Sequence, residues 1–318
     1  MPEGDIADAK IYVVGHKSPD TDSVTSAIAY ANLKNAMGMK TAVPAAAGEI
    51  NGETKFLLEH FKIKAPVRLT DATGKKIILV DHNEMGQAVD NLDKGEIIEI
   101  VDHHKIGGLQ TGKPIFFLNE PVGATGTIIA GLYEQNKVAI SKEMAGLMMS
   151  AILSDTVLFK SPTCTQQDKE AVMKLAKICG EDPMKFGMEL LKAKSDVRTK
   201  SAKDLLMNDF KKFDFNSTKA GVGQIEVMDL KDIEPKRAAI LEEMKKLAAG
   251  EKLDMVVMML TDVIKEASDL LFVGSDKAKI GFEKAFGGKI VNNSIYKEKV
   301  LSRKKQVVPP LEESFKKL

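Results

Sequence analysis

Four short clusters of histidine and aspartate punctuate the first half of the chain: "HKSPDTDS" (16–23), "VDHNE" (80–84), "VDHHK" (101–105) and "SDT" (154–156). They contain His16, Asp20, Asp22, Asp81, His103, His104 and Asp155, and His16, His82, His103 and His104 are four of the five histidines. Carboxylate oxygen and imidazole nitrogen, without thiolate, suit a hard-to-borderline divalent ion: Mn²⁺ first, with Co²⁺, Zn²⁺ and Mg²⁺ as alternatives. The charge count favours two ions. Unit charges 4 Å apart interact by about 4 kcal/mol at an effective dielectric of 20, and two divalent ions by roughly four times that. Asp20, Asp22, Asp81 and Asp155 set four negative charges against the four positive ones of such a pair. Two ions about 3.5–4 Å apart would hold a water between them, turn it to hydroxide near neutral pH and direct it at a phosphoryl centre. Taken singly, the clusters also read as ordinary structure: HxxxD as a turn or helix cap, Asp81 as an N-cap, Asp155 as a polar helix end. It is the four together, each ending an apolar element, that read as a metal site.

The elements that must position them follow from the apolar runs. "IYVV" (11–14), "IILV" (77–80) and "IIEIV" (97–101) each empty into one of the clusters. Such Ile/Val-rich runs suit strands buried on both faces of a parallel sheet. Val24, Ala27, Ile28 and Ala31 fall on one stripe of a helix. Residues 142–153 form another helical pattern, with Ser141 as N-cap. Strand–helix alternation predicts an open α/β sheet, whose ligands bind beyond the carboxyl ends of the strands. The stretch 191–201 is polar and aperiodic, and a second α/β unit follows it. Strands are expected there at 222–228, 255–260 and 270–273, and helices at 235–249 and 276–286. In "SRKKQVVPP" (302–310) two prolines are expected to close off an extended run.

At 318 residues the chain suits two domains. Its 46 basic and 45 acidic residues nearly cancel, which argues against a general nucleic-acid surface. Cys164 and Cys179 lack CxxC spacing and read as reduced, partly buried thiols. The start, "MPEGDIADAK", has no basic region followed by an apolar one, and no apolar run approaches the roughly 20 residues of a membrane span. A cytoplasmic protein is expected.

The four clusters resemble the motifs of the DHH phosphoesterase superfamily. The later "SRKKQ" (302–306) is similar to the second-domain signature of one branch, the family II, manganese-dependent inorganic pyrophosphatases. The resemblance covers nearly the whole chain, in the family's motif order. It implies an α/β protein of two domains: an N-terminal parallel-sheet DHH domain (1–193), a hinge linker (194–200) and a smaller C-terminal DHHA2-type α/β domain (201–318), with the active site in the cleft. His16 and Asp20 resemble terminal ligands of one metal, Asp22 and His103 those of the other, and Asp81 and Asp155 the bridging carboxylates. His104 resembles the residue that reaches the substrate phosphate, and Asp102 and His82 residues that orient ligands. Arg303 and Lys304 resemble the phosphate-contacting pair, with Lys211 a further contact, for which Lys212 is the alternative. The implied reaction is hydrolysis of pyrophosphate by a hydroxide bridging two Mn²⁺, with a further Mg²⁺ or Mn²⁺ arriving on the substrate and hinge closure completing the site. The implied assembly is a homodimer through the N-terminal domain.

Two rival readings remain. One is a DHH phosphoesterase acting on polyphosphate, short oligonucleotides or cyclic dinucleotides. Those relatives carry a GGH-type motif, whereas neither "GG" here, at 107–108 or 287–288, precedes a histidine, and aromatics are only 5%. The other is a non-catalytic metal- or phosphate-binding sensor.

Overall fold

The computed structural model describes residues 10–194, 197 and 200–316. It comprises two compact units, one of residues up to 159 and 164–190, the other of residues 160–163 and the chain from 191 onward.

The first unit is built on a six-stranded sheet of β1 (Ile11–Val14), β2 (Ala42–Ala46), β3 (Val67–Arg68), β4 (Lys76–Val80), β5 (Glu96–Asp102) and β6 (Phe116–Asn119). The order is β3-β2-β1-β4-β5-β6 and every neighbouring pair is parallel. Ile77, Ile78, Leu79 and Val80 are all fully buried, which is why this run shows no alternation. The helices are α1 (Thr21–Ala36), α2 (Gly52–His60), α3 (Thr125–Gln135), α4 (Lys142–Asp155), α5 (Gln166–Cys179) and α6 (Pro183–Lys194). Strand order reverses between β1 and β4, and such a switch leaves a crevice beyond their carboxyl ends. His16 follows β1 and Asp81 follows β4, so this crevice is where the clusters meet.

Some local expectations are corrected. Helix α1 is buried on all sides from Thr21 to Ala31 rather than along one stripe, because β2, α2, α3 and α4 surround it. Helix α4 runs on through Ser154 to Asp155, with Ser141 as its N-cap. Beyond it Val157, Leu158 and Phe159 are left-handed, at φ 50°, 53° and 66°. Bulky residues resist that conformation. Here Val157 N–H donates to Ser154 O and Leu158 N–H to Leu153 O, at 3.1 and 2.9 Å, and hold the turn that follows Asp155.

The second unit contains α7 (Ala202–Asn208), β7 (Phe210–Phe215), β8 (Thr218–Val227), α8 (Leu230–Ile233), α9 (Arg237–Glu251), β9 (Met255–Asp262), β10 (Ala267–Gly274), α10 (Asp276–Phe286), β11 (Ser294–Glu298) and α11 (Val308–Phe315). Its sheet runs β11-β10-β9-β8-β7, with only β8 and β9 parallel. All eight residues of the central β9 are buried. Met255, Val257 and Met259 pack with Phe282, Leu311 and Phe315 on one face, and Val256, Met258 and Leu260 with Leu205, Ile240 and Met244 on the other.

The expected strands at 255–260 and 270–273 lie within β9 and β10, and that at 222–228 overlaps β8, which ends at Val227. The expected helix at 276–286 is α10, and that at 235–249 overlaps α9, which starts at Arg237. The prolines of "SRKKQVVPP" do the opposite of what was expected: Pro309 and Pro310 sit in the first turn of α11 instead of closing an extended run. There proline gives up only an N–H that has no intrahelical partner. Of the expected linker at 194–200, positions 195, 196, 198 and 199 lie outside the described residues. Among the described residues no helix is long and apolar enough to cross a membrane. Cys164 and Cys179 are free thiols, and burial pushes both above their usual range.

Candidate metal centre

The crevice gathers ligands from four elements. Past β1 the chain passes Gly15, where a Cβ would lie only 1.8 Å from Ser23 Oγ. The bare glycine lets that hydroxyl accept from His16 N–H at 3.0 Å, which binds the strand exit to the start of α1. Asp20 is the N-cap of α1, its Oδ1 accepting from Ser23 N–H at 2.9 Å. Its Oδ2 faces His16 Nε2 at 3.3 Å, so the cap and the candidate ligand are one residue. Asp81 ends β4 in a left-handed conformation, φ 60°, its N–H bonded to Val101 O.

Two donor groups result. One holds His16, Asp20 and Asp81; the other holds Asp22, Asp81, His103 and Asp155. Asp81 belongs to both: its Oδ2 lies 3.4 Å from His16 Nε2 and its Oδ1 3.3 Å from His103 Nε2. His103 Nε2 also lies 3.5 Å from Asp155 Oδ2 and 4.0 Å from Asp22 Oδ2. Asp155 contributes its Oδ2 to the second group. A third grouping pairs His104 with Asp81 and His103. There His104 Nδ1 is spoken for, bonded to Asp102 Oδ1 at 2.8 Å.

The residues around these donors fix their direction. His103 Nδ1 donates to Val122 O at 2.9 Å, leaving Nε2 for the crevice. Asp102 is fully buried and accepts from the N–H groups of His103 and His104, the His104 ring and the Asn83 amide. His82 is buried, and its Nδ1–H donates to Val80 O at 2.9 Å. Burial holds this imidazole down, to about 4, against that hydrogen bond, so His82 is neutral near pH 7. It joins neither donor group.

One segment escaped the reading of the sequence. Ala124 at the N-cap of α3 has no side-chain cap. The missing acceptor comes from Asp22, whose Oδ2 takes Thr125 N–H at 2.7 Å and whose Oδ1 takes Gly126 N–H at 3.0 Å. Thr125 Oγ1 donates to Asp81 Oδ1 at 3.2 Å. Residues 122–126 therefore touch His103, Asp22 and Asp81 at once. Buried Asp168 anchors them, accepting from Gly123 N–H at 2.9 Å. The glycine- and threonine-rich "GATGT" before an apolar helical run is the signal that points to such an anion-holding helix start.

The electrostatics fit a cation. Burial and the charges of Asp81, Asp155 and Asp20 hold the Asp22 carboxyl well above the usual range, against the Thr125 N–H. Burial would also raise Asp81, but hydrogen bonds from His103 and His16 and the charge of His104 hold it well below. Asp81 Oδ2 is buried, with His16 Nε2 facing it at 3.4 Å. Crowded, buried carboxylates with imidazole nitrogens aimed at them are what a divalent ion would complete.

The second unit builds a cationic turn. Arg303–Val307 forms one π-helical turn, a geometry frequent at functional sites. Ser302 caps it, accepting from Lys305 N–H. Gln306 staples it, its Oε1 accepting from the N–H groups of Leu301 and Ser302 at 2.9 and 3.0 Å. Arg303 points inward, buried: Nη2 lies 2.7 Å from Asp209 Oδ1 and Nη1 donates to Asp209 O at 2.9 Å. On β7 Lys211 and Lys212 alternate in direction, and Lys212 pairs with Glu251 at 2.6 Å.

The family model described as "DHH family, N-terminal domain" matches residues 10–152, and that of the DHHA2 domain matches residues 188–314. The manganese-dependent inorganic pyrophosphatase of Methanothrix thermoacetophila is 77% identical over 96% of this chain and 99% of its own length. The protein of the same description from Methanocaldococcus jannaschii is 46% identical, over 96% and 99%. A crystal structure from Methanococcus jannaschii titled as a family II inorganic pyrophosphatase superposes with a TM-score of 0.87 at 46% identity, over 96% of this chain and 99% of that one. With both domain types in order and relatives this similar along almost its entire length, the chain belongs to the DHH family, in its DHHA2-bearing branch of manganese-dependent, family II inorganic pyrophosphatases.

Proposed function

We propose that this chain hydrolyses inorganic pyrophosphate to two phosphates with two divalent ions, Mn²⁺ foremost and Co²⁺ or Mg²⁺ as substitutes, a further Mg²⁺ or Mn²⁺ arriving with the substrate. The observation that carries the reading is Asp81, one buried carboxylate with an oxygen in each of two donor groups. His16 and Asp20 are the remaining ligands of one position, and Asp22, His103 and Asp155 those of the other. Asp81 bridges. Asp155, for which the family resemblance also suggests bridging, has its Oδ2 in the second group. Bound there, the ions supply Lewis acidity and make water nucleophilic near neutral pH. The chain's own residues do the rest. His104, its Nδ1–H held by Asp102, presents Nε2 to a substrate phosphate, while Arg303, Lys304 and Lys211 offset the charge of pyrophosphate. Lys211 is preferred to Lys212 because its place in the chain resembles that of a further family lysine.

Phosphate release from pyrophosphate, tripolyphosphate and a dinucleotide, assayed side by side with Mn²⁺, tests the proposal. Pyrophosphate is expected to dominate; a preference for either of the others overturns it. Mn²⁺ binding should also displace a proton, because Asp22 titrates above the usual range in the metal-free protein. Affinity should then rise with pH until Asp22 is fully ionised. Calorimetric titrations in two buffers of different ionisation enthalpy would read the proton, and equal heats would remove Asp22 from the ligand set.

We place the protein in the cytoplasm as a homodimer through its N-terminal domain. The support is β6, an edge strand on which Phe116 and Phe117 are 48% and 38% exposed. A monomeric mass in solution would remove the dimer.

A further inference from the structure

Glu53 is buried in the first turn of α2 and belongs to none of the donor groups. Its Oε2 accepts two hydroxyl hydrogen bonds, from Thr21 Oγ1 at 2.6 Å and from Ser154 Oγ at 2.9 Å. Thr21 lies between Asp20 and Asp22 in the first turn of α1, and Ser154 directly precedes Asp155 in the last turn of α4. One carboxylate oxygen thus ties together the two backbone segments that carry three of the six candidate ligands. Thr54, next to Glu53, adds a hydroxyl contact to Thr21 at 3.1 Å.

We propose that Glu53 is a positioning residue that sets the separation of Asp22 and Asp155 for metal binding. The proposal rests on the reading that those two aspartates hold metal. Asp22 Oδ2 and Asp155 Oδ2 lie 4.0 and 3.5 Å from the same His103 Nε2, so with no ion between them the two carboxylates, when ionised, push α1 and α4 apart at this point. A tie across the two helix ends resists the push and keeps the donors near the spacing an ion needs. Burying a carboxylate is costly unless its lone pairs are filled. Two hydroxyls fill Oε2, and the positive end of the α2 dipole favours the charge. An apolar contact could hold two helices together more cheaply. A shared acceptor adds what an apolar contact lacks, a fixed distance between Thr21 and Ser154. That distance passes directly to the residues beside them.

The test is titration of Mn²⁺ into the metal-free full-length protein, read by calorimetry and by the melting temperature before metal is added. Glu53→Ala is expected to weaken Mn²⁺ affinity by about 10–100-fold, the range for changes to residues that orient ligands. Glu53→Gln keeps an oxygen able to accept from both hydroxyls and is expected to restore affinity to within a few-fold of wild type. Thr21→Val and Ser154→Ala each cut one arm and should each weaken binding by less than Glu53→Ala. Combining Ser154→Ala with Glu53→Ala should cost nothing further. Val172→Ala, in the buried face of α5, controls for stability, since it should lower the metal-free melting temperature and leave affinity unchanged. Wild-type affinity in Glu53→Ala, or in both single-arm variants, overturns the clamp. So does an equal loss of affinity in Val172→Ala. A wild-type protein that binds no Mn²⁺ removes the metal reading and the clamp with it.

Discussion

Asp81→Asn is expected to reduce Mn²⁺ stoichiometry from two to at most one and to cut pyrophosphate hydrolysis by at least about 1,000-fold, more than the 10–100-fold typical of residues behind the ligands. Asparagine is the informative replacement. It keeps the size of the side chain, and it tolerates the left-handed backbone that Asp81 adopts, which alanine does not. The change is therefore confined to chemistry. An amide offers one oxygen, and its other arm is an N–H₂ donor that repels a cation. Whichever way it turns, either the group with His16 and Asp20 or the group with Asp22, His103 and Asp155 loses its shared member. Ligands that bind only the folded state raise its stability by mass action, so the Mn²⁺-induced rise in melting temperature should shrink as well. Equilibrium dialysis with metal analysis, beside the melting curves, measures both. Two ions held at wild-type affinity in Asp81→Asn would sink the bridging role and with it the two-metal reading.

What the sequence could and could not reveal follows from how local each feature is. His16, Asp20, Asp81 and His103 were legible because a parallel sheet delivers strand ends to one edge, so an apolar run followed by a ligand is a short-range signal. Asp22 was legible as a candidate ligand but not as the cap of α3. Its partners Thr125 and Gly126 lie 103 and 104 residues away, and nothing near them spells an acceptor. Glu53 was invisible for the same reason, since its partners lie 32 residues before it and 101 after. Strand β2 was hidden by Pro44, which argues against an interior strand. The fold admits it because β3 pairs only Ala45 and Ala46, so Pro44 has β1 on one side and no strand on the other. The prolines after "SRKKQ" misled in the opposite direction, because the same missing N–H that ends a strand is harmless in the first turn of a helix. Proline fixes one torsion angle and removes one donor, and only the neighbouring strands or turns decide which consequence matters.

Arg303→Ala is expected to lower pyrophosphate hydrolysis by about 100–1,000-fold, the range for removing one donor that faces developing charge, while Mn²⁺ binding stays at the wild-type level. The split separates the two halves of the proposed chemistry, because Arg303 belongs to the second unit and the metal ligands to the first. A structural role for Arg303 must be weighed, since its guanidinium already bonds Asp209 and the chain at Val222 O. If those bonds were its whole purpose, the variant would lose stability and leave the activity of the folded fraction intact. Arg303 is buried and also bonds Asp209 O and Val222 O, so its removal lowers stability as well, and activity has to be read per folded molecule. A large fall in activity per folded molecule would therefore report on substrate. The two contacts with Asp209 also fix the direction of the fork, so in the proposed role its remaining N–H groups would need no ordering to meet a phosphate. Arg303→Lys sharpens the distinction. It restores the charge without the planar fork and should recover only part of the lost activity, with the deficit larger in kcat than in metal affinity. Activity within a factor of about two of wild type in Arg303→Ala would remove Arg303 from the substrate site, leaving the charge of pyrophosphate to Lys211, Lys304 and the metal centre.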